Sequence, residues 1–275
     1  MTNDLMELDR ICKAFHKSET RLAVLDRVSL SVGEGDFLCI IGPSGRGKST
    51  LLRIMAGLTD ATSGIVKFHG SPLSGPHPKI TMVFQTFALL PWKTVVENIE
   101  LGLKLQGMPK KERRELSMKY VEMVGLRGFE NNYPVELSGG MRQRVGFARA
   151  LATDPEMILL DEAFSALDEF TANTLRAEIV RLWRETGKTF VMVTHSISEA
   201  LQLSSRIIVM TARPGRMKES FEVDIPWPRE KLSQEFAERE IRLFASLRDE
   251  LTPSQNIGEL GNSDGLKLLY NQENR

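Results

Sequence analysis

Short apolar runs rich in β-branched residues punctuate the chain: FLCII at 37–41, MILL at 157–160, TFVMV at 189–193 and RIIVM at 206–210. A strand buried on both faces reads this way, because neither face needs polar residues. Longer amphipathic stretches separate the runs, which predicts an α/β fold with a mainly parallel core sheet. FLCII leads into a glycine-rich turn and then STLLRIMAGL, a helical pattern. MILL ends at Asp161, and TFVMV ends at Thr194 and His195. Three predicted strands thus carry polar chemistry at their C-terminal ends, where open α/β sheets keep their ligands.

The pattern differs elsewhere. LDRICKAF and VLDRVSLSV alternate with turns, which predicts an N-terminal antiparallel β part. Residues 94–130 are charge-rich and helical in period, within a helical insertion expected over about 88–154. The two prolines of IPWPRE end the regular pattern after about residue 225. Beyond them Leu232, Phe236, Ile241, Phe244, Leu247 and Leu251 recur at helical spacing, so a helix over 229–251 is expected. The polar, glycine-containing tail that follows is expected to be mobile. The division is therefore 1–225 for the main domain and 226–275 for a helical extension and tail. There is no internal repeat or low-complexity tract.

Lys plus Arg and Asp plus Glu both total 36 of 275 residues, so the formal charge is zero. That balance argues against nucleic acid, which asks for a basic face. Hydrophobic residues at 41% are enough for a packed core. Cys12 and Cys39 are unclustered, as in a reducing compartment, and Cys39 lies inside an apolar run. The acidic, polar start MTNDLMELDR does not read as a signal peptide. No apolar run approaches the ~20 residues of a membrane helix.

GPSGRGKS, residues 42–49, fits G-x-x-x-x-G-K-[ST] between a predicted strand and helix. Gly42, Pro43, Ser44, Gly45, Arg46 and Gly47 would curl so that backbone N–H groups point at a phosphate. Lys48 would bridge the β- and γ-phosphates of ATP, Ser49 would ligate Mg²⁺, and Thr50 continues the helix start, whose positive end adds to the attraction. MILLDE then brings Asp161 to the metal and Glu162 beside the γ-phosphate, as a general base or a positioner of water. Each motif has a plainer reading: a glycine turn with an exposed lysine, or a strand end with a surface acidic pair. A second glycine-opened helix start, LSGGMRQR at 137–144, lies upstream of Asp161. Ser138, Gly139 and Gly140 open MRQRVGFARALA, whose N-terminus can also face a phosphate.

Taken together, these motifs resemble the ATP-binding subunits of ABC transporters, over residues 5 to about 225. The resemblance implies that the second cradle serves another molecule's ATP. Two subunits would meet head to tail and sandwich two nucleotides, with Ser138, Gly139 and Gly140 of one facing the γ-phosphate held by the other. It further implies that Gln85 in VFQTFALLPW touches metal or water, and that Ser165, Ala166, Leu167 and Asp168 cross the dimer interface. His195 would contact the γ-phosphate. Phe15 would stack on adenine; the alternative is a core phenylalanine. The chain departs from the commonest family pattern at Arg46, Ala163, Ser165 and Ser196. No catalytic group is lost there, but Ala163 and Ser165 put loop stiffness and turnover in question.

Further stretches are similar to the nitrate/sulfonate/taurine importer group, above all LLPW at 89–92 and RPGR at 213–216. Too few residues follow 225 for the long regulatory domain of sugar importers. This branch implies ATP hydrolysis coupled to transport at the cytoplasmic face of the membrane. Its partners would be a second ATP-binding subunit, transmembrane permease subunits and, indirectly, a periplasmic or extracellular solute-binding protein. Leu89, Leu90, Pro91 and Trp92 are a candidate seat for a permease helix, unless Trp92 packs on its own insertion. The rival class is a soluble ABC ATPase that moves no solute, such as a scaffold or assembly factor. The solute itself is chosen by the permease and its receptor.

Overall fold

A computed structural model of the chain describes residues 4–17, 20–43, 45, 47–84, 88–165, 167–248 and 250. In chain order the elements are β1 (Asp4–Lys17), β2 (Thr20–Gly33), β3 (Phe37–Ile41), α1 (Lys48–Met55), β4 (Ser63–Phe68), β5 (Ser71–Pro72) and β6 (Ile80–Val83). Then follow α2 (Val95–Leu105), α3 (Lys110–Met123), α4 (Gly139–Ala152), β7 (Met157–Asp161), α5 (Glu169–Thr186) and β8 (Thr189–Thr194). Last come α6 (Ile197–Leu203), β9 (Arg206–Met210), β10 (Met217–Glu222) and α7 (Gln234–Arg248). The chain divides into one unit of residues 1–75 with 191–275 and another of residues 76–190.

In the first unit β1 and β2 pair antiparallel, with Leu8 opposite Leu30 and Ile11 opposite Val28. Strands β4 and β5 complete a four-stranded sheet in the order β2-β1-β4-β5. A second sheet runs β10-β9-β3-β8. Strand β3 lies parallel to β9, with Cys39 opposite Ile207. All five residues of β3 are buried, as the apolar run predicts. Burial pushes the Cys39 thiol well up, so it stays a neutral packing group. Helix α1 is shorter than the apolar pattern of STLLRIMAGL: it stops at Met55, and Gly57 turns the chain with φ +69.

In the second unit β6 and β7 pair in parallel, Ile80 opposite Met157 and Val83 opposite Leu160. The helical stretch expected over 94–130 is not continuous. Gly107 at φ +81 and the following Pro109 break it into α2 and α3, and α3 ends at Met123 before Gly125 at φ +64. Helices α2, α3 and α4 close around Val96, Ile99, Leu103, Val121, Val145 and Ala148, all buried. Helix α2 starts with a capping box: Thr94 Oγ1 accepts from Glu97 N–H at 3.4 Å, and Thr94 N–H donates to Glu97 Oε2 at 3.0 Å. One turn on, buried Asn98 holds the LLPW loop, accepting from Leu90 N–H at 2.8 Å and donating to Leu90 O at 3.2 Å and Lys93 O at 3.0 Å. That scaffold leaves Trp92 69% exposed, so it is not packed on its own insertion.

The C-terminal helix also differs from its expected span. It begins at Gln234, and Leu232 is fully exposed at 100%. The face it buries is Phe236, Leu243 and Leu247; Ile241 points outward. A spacing of six apolar residues fits two neighbouring faces of a helix, and packing selected the one that includes Leu243. Leu251 and the tail lie outside the described residues. Among the described residues no helix is long and apolar enough to cross a membrane.

Candidate functional site

The glycine-rich turn between β3 and α1 is held tightly by its surroundings. A Cβ on Gly42 would lie 2.8 Å from Met210 O, at the end of β9. A Cβ on Gly47 would lie 2.8 Å from Leu25 Cδ2, and Gly47 has φ +96. Both its backbone angle and the approach of β2 demand glycine there. Lys48 is 4% exposed, and its ammonium donates to Gly42 O at 2.7 Å and Pro43 O at 2.9 Å. Such partners are what a buried ammonium requires. No side chain caps α1, whose N-cap is Gly47 and whose first turn contains no acidic residue. A helix start without a side-chain cap keeps its donors for an anion. Ser49 and Thr50 occupy that first turn. Ser44 and Arg46 lie outside the described residues.

The same unit carries the end of β8. Thr194 Oγ1 donates to Glu199 Oε2 at 2.7 Å and accepts from Ser196 N–H at 3.1 Å. Ser196 caps α6, accepting from Glu199 N–H at 3.2 Å. The departure from aspartate at Ser196 therefore supplies a helix cap. His195 is held between strand end and cap, half-buried. Phe15 is 45% exposed, with Lys13 Nζ 5.1 Å from its ring centre, so it is not a core phenylalanine.

In the second unit β7 delivers Asp161, 3% exposed, to its C-terminal end. The next residue, Glu162, has φ +47. A glutamate in the left-handed region costs about 1–3 kcal/mol and persists only where the surroundings enforce it. Here they do: Ser165 donates twice to the Glu162 carbonyl, from its hydroxyl at 2.9 Å and its N–H at 3.2 Å. Ala163 and Phe164 are buried, and Phe164 stacks on Phe147 of α4 with ring centres 6.2 Å apart. The Ser165 hydroxyl thus adds a bond to this turn that glycine could not make. Asp168 caps α5 by accepting from Thr171 N–H at 2.9 Å, and that bond holds its carboxyl below the usual range.

Ser138 caps α4, its Oγ accepting from Met141 N–H at 3.3 Å, and is exposed. Gly139 and Gly140 form the first turn. A Cβ on Gly140 would meet Thr171 Cγ2 at 3.1 Å and Leu167 Cδ2 at 3.2 Å, so this glycine also lets α4 approach the start of α5. The fold therefore brings 138–140 onto the loop leading to Asp168. Spacing along the chain holds no trace of that contact. Gln85 and Ala166 lie outside the described residues. Arg149 was not singled out by its position in α4; it donates to Ala88 O at 2.7 Å, next to the LLPW loop.

A nucleotide-binding α/β cassette is what these loops and strand ends describe, and the comparisons agree. The family model described as "ABC transporter" matches residues 25–165. An uncharacterised ABC transporter ATP-binding protein of Methanocaldococcus jannaschii is 47% identical over 90% of this chain and 93% of its own length. A Bacillus cereus protein named as an aliphatic sulfonates import ATP-binding protein is 42% identical over 85% of this chain and 92% of its own. A Yersinia pestis taurine import ATP-binding protein is 46% identical over 71% of this chain and 76% of its own. Among solved structures, a dimeric ATP-binding cassette in a post-hydrolysis state, bound to ADP and Pi, superposes with a TM-score of 0.74. It is 35% identical and covers 80% of this chain and 100% of that one. The chain belongs to the ABC transporter family.

Proposed function

We propose that this chain is the ATP-hydrolysing motor subunit of an ABC importer for a small anion of the sulfonate, taurine or nitrate kind. The observation that carries it is the conjunction of a phosphate loop with a buried lysine, a constrained Asp-Glu turn after β7 and a serine-capped glycine start on α4. Relatives named for sulfonate and taurine import support the anion class. A soluble scaffold is not favoured, since the relatives named for a task are import subunits.

In this reading the loop 42–47, Lys48, Ser49 and Thr50 bind the phosphates of ATP, and Phe15 meets the adenine. Ser49, Asp161 and Gln85 would hold Mg²⁺; all offer oxygen donors, which suits this hard cation. Bound there, Mg²⁺ would neutralise charge on the phosphates. Glu162 takes the proton of the attacking water or orients it, and His195 donates to the γ-phosphate. Ser138, Gly139 and Gly140 of a second copy, or of a close relative, contact the same γ-phosphate. Loss of that phosphate removes what both surfaces grip, so hydrolysis reopens the pair. The LLPW loop passes this motion to a permease helix at the cytoplasmic face of the membrane, and a solute-binding protein supplies the anion from outside.

The test is Glu162→Gln with saturating Mg-ATP. Slow hydrolysis with accumulated dimers in size-exclusion chromatography is expected; a variant that stays monomeric overturns the sandwich. Uptake by the chain reconstituted with its permease and receptor, assayed with taurine, an alkanesulfonate and nitrate, tests the anion class.

A further inference from the structure

The turn that joins β9 to β10, TARPGR, meets the phosphate loop. Arg213 Nε donates to the Gly45 carbonyl at 3.0 Å. Gly45 is a left-handed residue at φ +68, and a Cβ there would touch nothing within 4 Å. The space where a Gly45 side chain would stand is open. A peptide that presents its N–H inward turns its carbonyl outward, and an outward carbonyl needs a donor. Arg213 supplies that donor for Gly45.

The turn is anchored independently of the loop. Gly215 N–H donates to Val24 O at 2.9 Å, and Asp26 N–H donates to Gly215 O at 3.1 Å, stitching it to β2. Arg216 Nε donates to Asp26 Oδ2 at 2.8 Å. Arg216 N–H donates to Thr211 Oγ1 at 3.0 Å across the turn. A further tie comes from the end of the C-terminal extension. Glu250 Oε2 accepts from Ala212 N–H at 2.8 Å, next to Arg213, and Glu250 Oε1 lies 3.3 Å from Lys218 Nζ. Lys218 also donates to Ser246 O at 2.7 Å. Helix α7 is thereby fixed to β10, and Glu250 beyond its end to the turn.

Building on the phosphate-loop function proposed above, we propose that Arg213 is a positioning residue that keeps the Gly45 peptide turned for phosphate binding, and that Glu250 secures it from the C-terminal extension. Arg213 acts through Gly45 and not on the reacting atoms.

The test compares wild type with Arg213→Ala, Arg213→Gln, Glu250→Gln and the double variant Arg213→Ala with Glu250→Gln. The glutamine amide nitrogen stands as many bonds from Cα as arginine Nε, so Arg213→Gln keeps the donor and removes the charge. Fluorescent N-methylanthraniloyl-ATP binding, ATPase rate against Mg-ATP concentration and melting temperature are measured. Arg213→Ala is expected to raise Kd and KM about five-fold with kcat little changed, the size of one hydrogen bond at an exposed site. Arg213→Gln is expected to recover most of that loss. Glu250→Gln is expected to weaken binding about two-fold alone, and to add nothing once Arg213 is gone. Unchanged Kd in Arg213→Ala, even with a lowered melting temperature, overturns the proposal; so does Arg213→Gln behaving like alanine. Lys48→Ala run alongside separates the two readings. If it binds nucleotide normally, the phosphate-loop function itself fails; if it alone loses binding, only the role of Arg213 does.

Discussion

Two helices in this protein open on glycines after a motif that can hold phosphate, and they are built differently. Helix α1 has no side-chain cap, no acid in its first turn, and a buried lysine folded onto its own loop. Helix α4 is capped by its own exposed Ser138 and carries no lysine in its first turn. The first is a self-contained cradle, shaped on several sides by Met210, Val24 and Leu25. The second is a half-site whose serine satisfies the helix until something better arrives. An exposed cap that can exchange a backbone N–H for a phosphate oxygen suits a contact made only on assembly. In the proposed function, the same physics, a helix N-terminus, would serve permanent binding in one place and conditional binding in the other.

The comparison can be broken by unequal mutations. Lys48→Ala should lower ATP turnover by about a hundred-fold or more, since it removes charge from the place where phosphate charge develops. Normal turnover in a coupled ATPase assay would mean α1 is not the primary cradle. Gly47→Ala should destabilise the fold by about 2–3 kcal/mol through its φ and its clash with Leu25, as read by denaturant melts. Ser138→Ala should cost about 1 kcal/mol of stability by loss of the cap, with ATP binding to the monomer intact. Its diagnostic effect is on ATP-driven dimerisation, in the Glu162→Gln background; undiminished dimers would show that the α4 start is a cap and nothing more. The smallest effect concerns Asp168. Because its carboxyl is held below the usual range by Thr171 N–H, the cap is fully present above the ordinary carboxylate pKa. It is lost as pH falls through the lowered value, so amide exchange at Thr171 should quicken only in acid.

Where an element is buried on both faces, its composition announces it. FLCII, MILL, TFVMV and RIIVM became β3, β7, β8 and β9 with little shift, because strands buried on both faces are almost wholly apolar. The glycine-rich turn between β3 and α1 and the glycine start of α4 stand where their local motifs put them. Helix limits were less legible. The break at Gly107 and Pro109 is a local signal that the charge pattern of 94–130 masked, and the buried face of α7 turned on which side met α6. The left-handed Glu162, the two bonds from Ser165, the second duty of Gly140 and the grip of Arg213 on Gly45 had no signature in spacing.

The sequence by itself determined the strands, the glycine-rich turn after β3 and the family, because these depend on residues within a few positions of one another. Tertiary structure alone decided which carbonyl Arg213 reaches, which side of α7 is buried and why Gly140 must be small. Those contacts join residues far apart in the chain, and only the packing of strands and helices sets the distances between them.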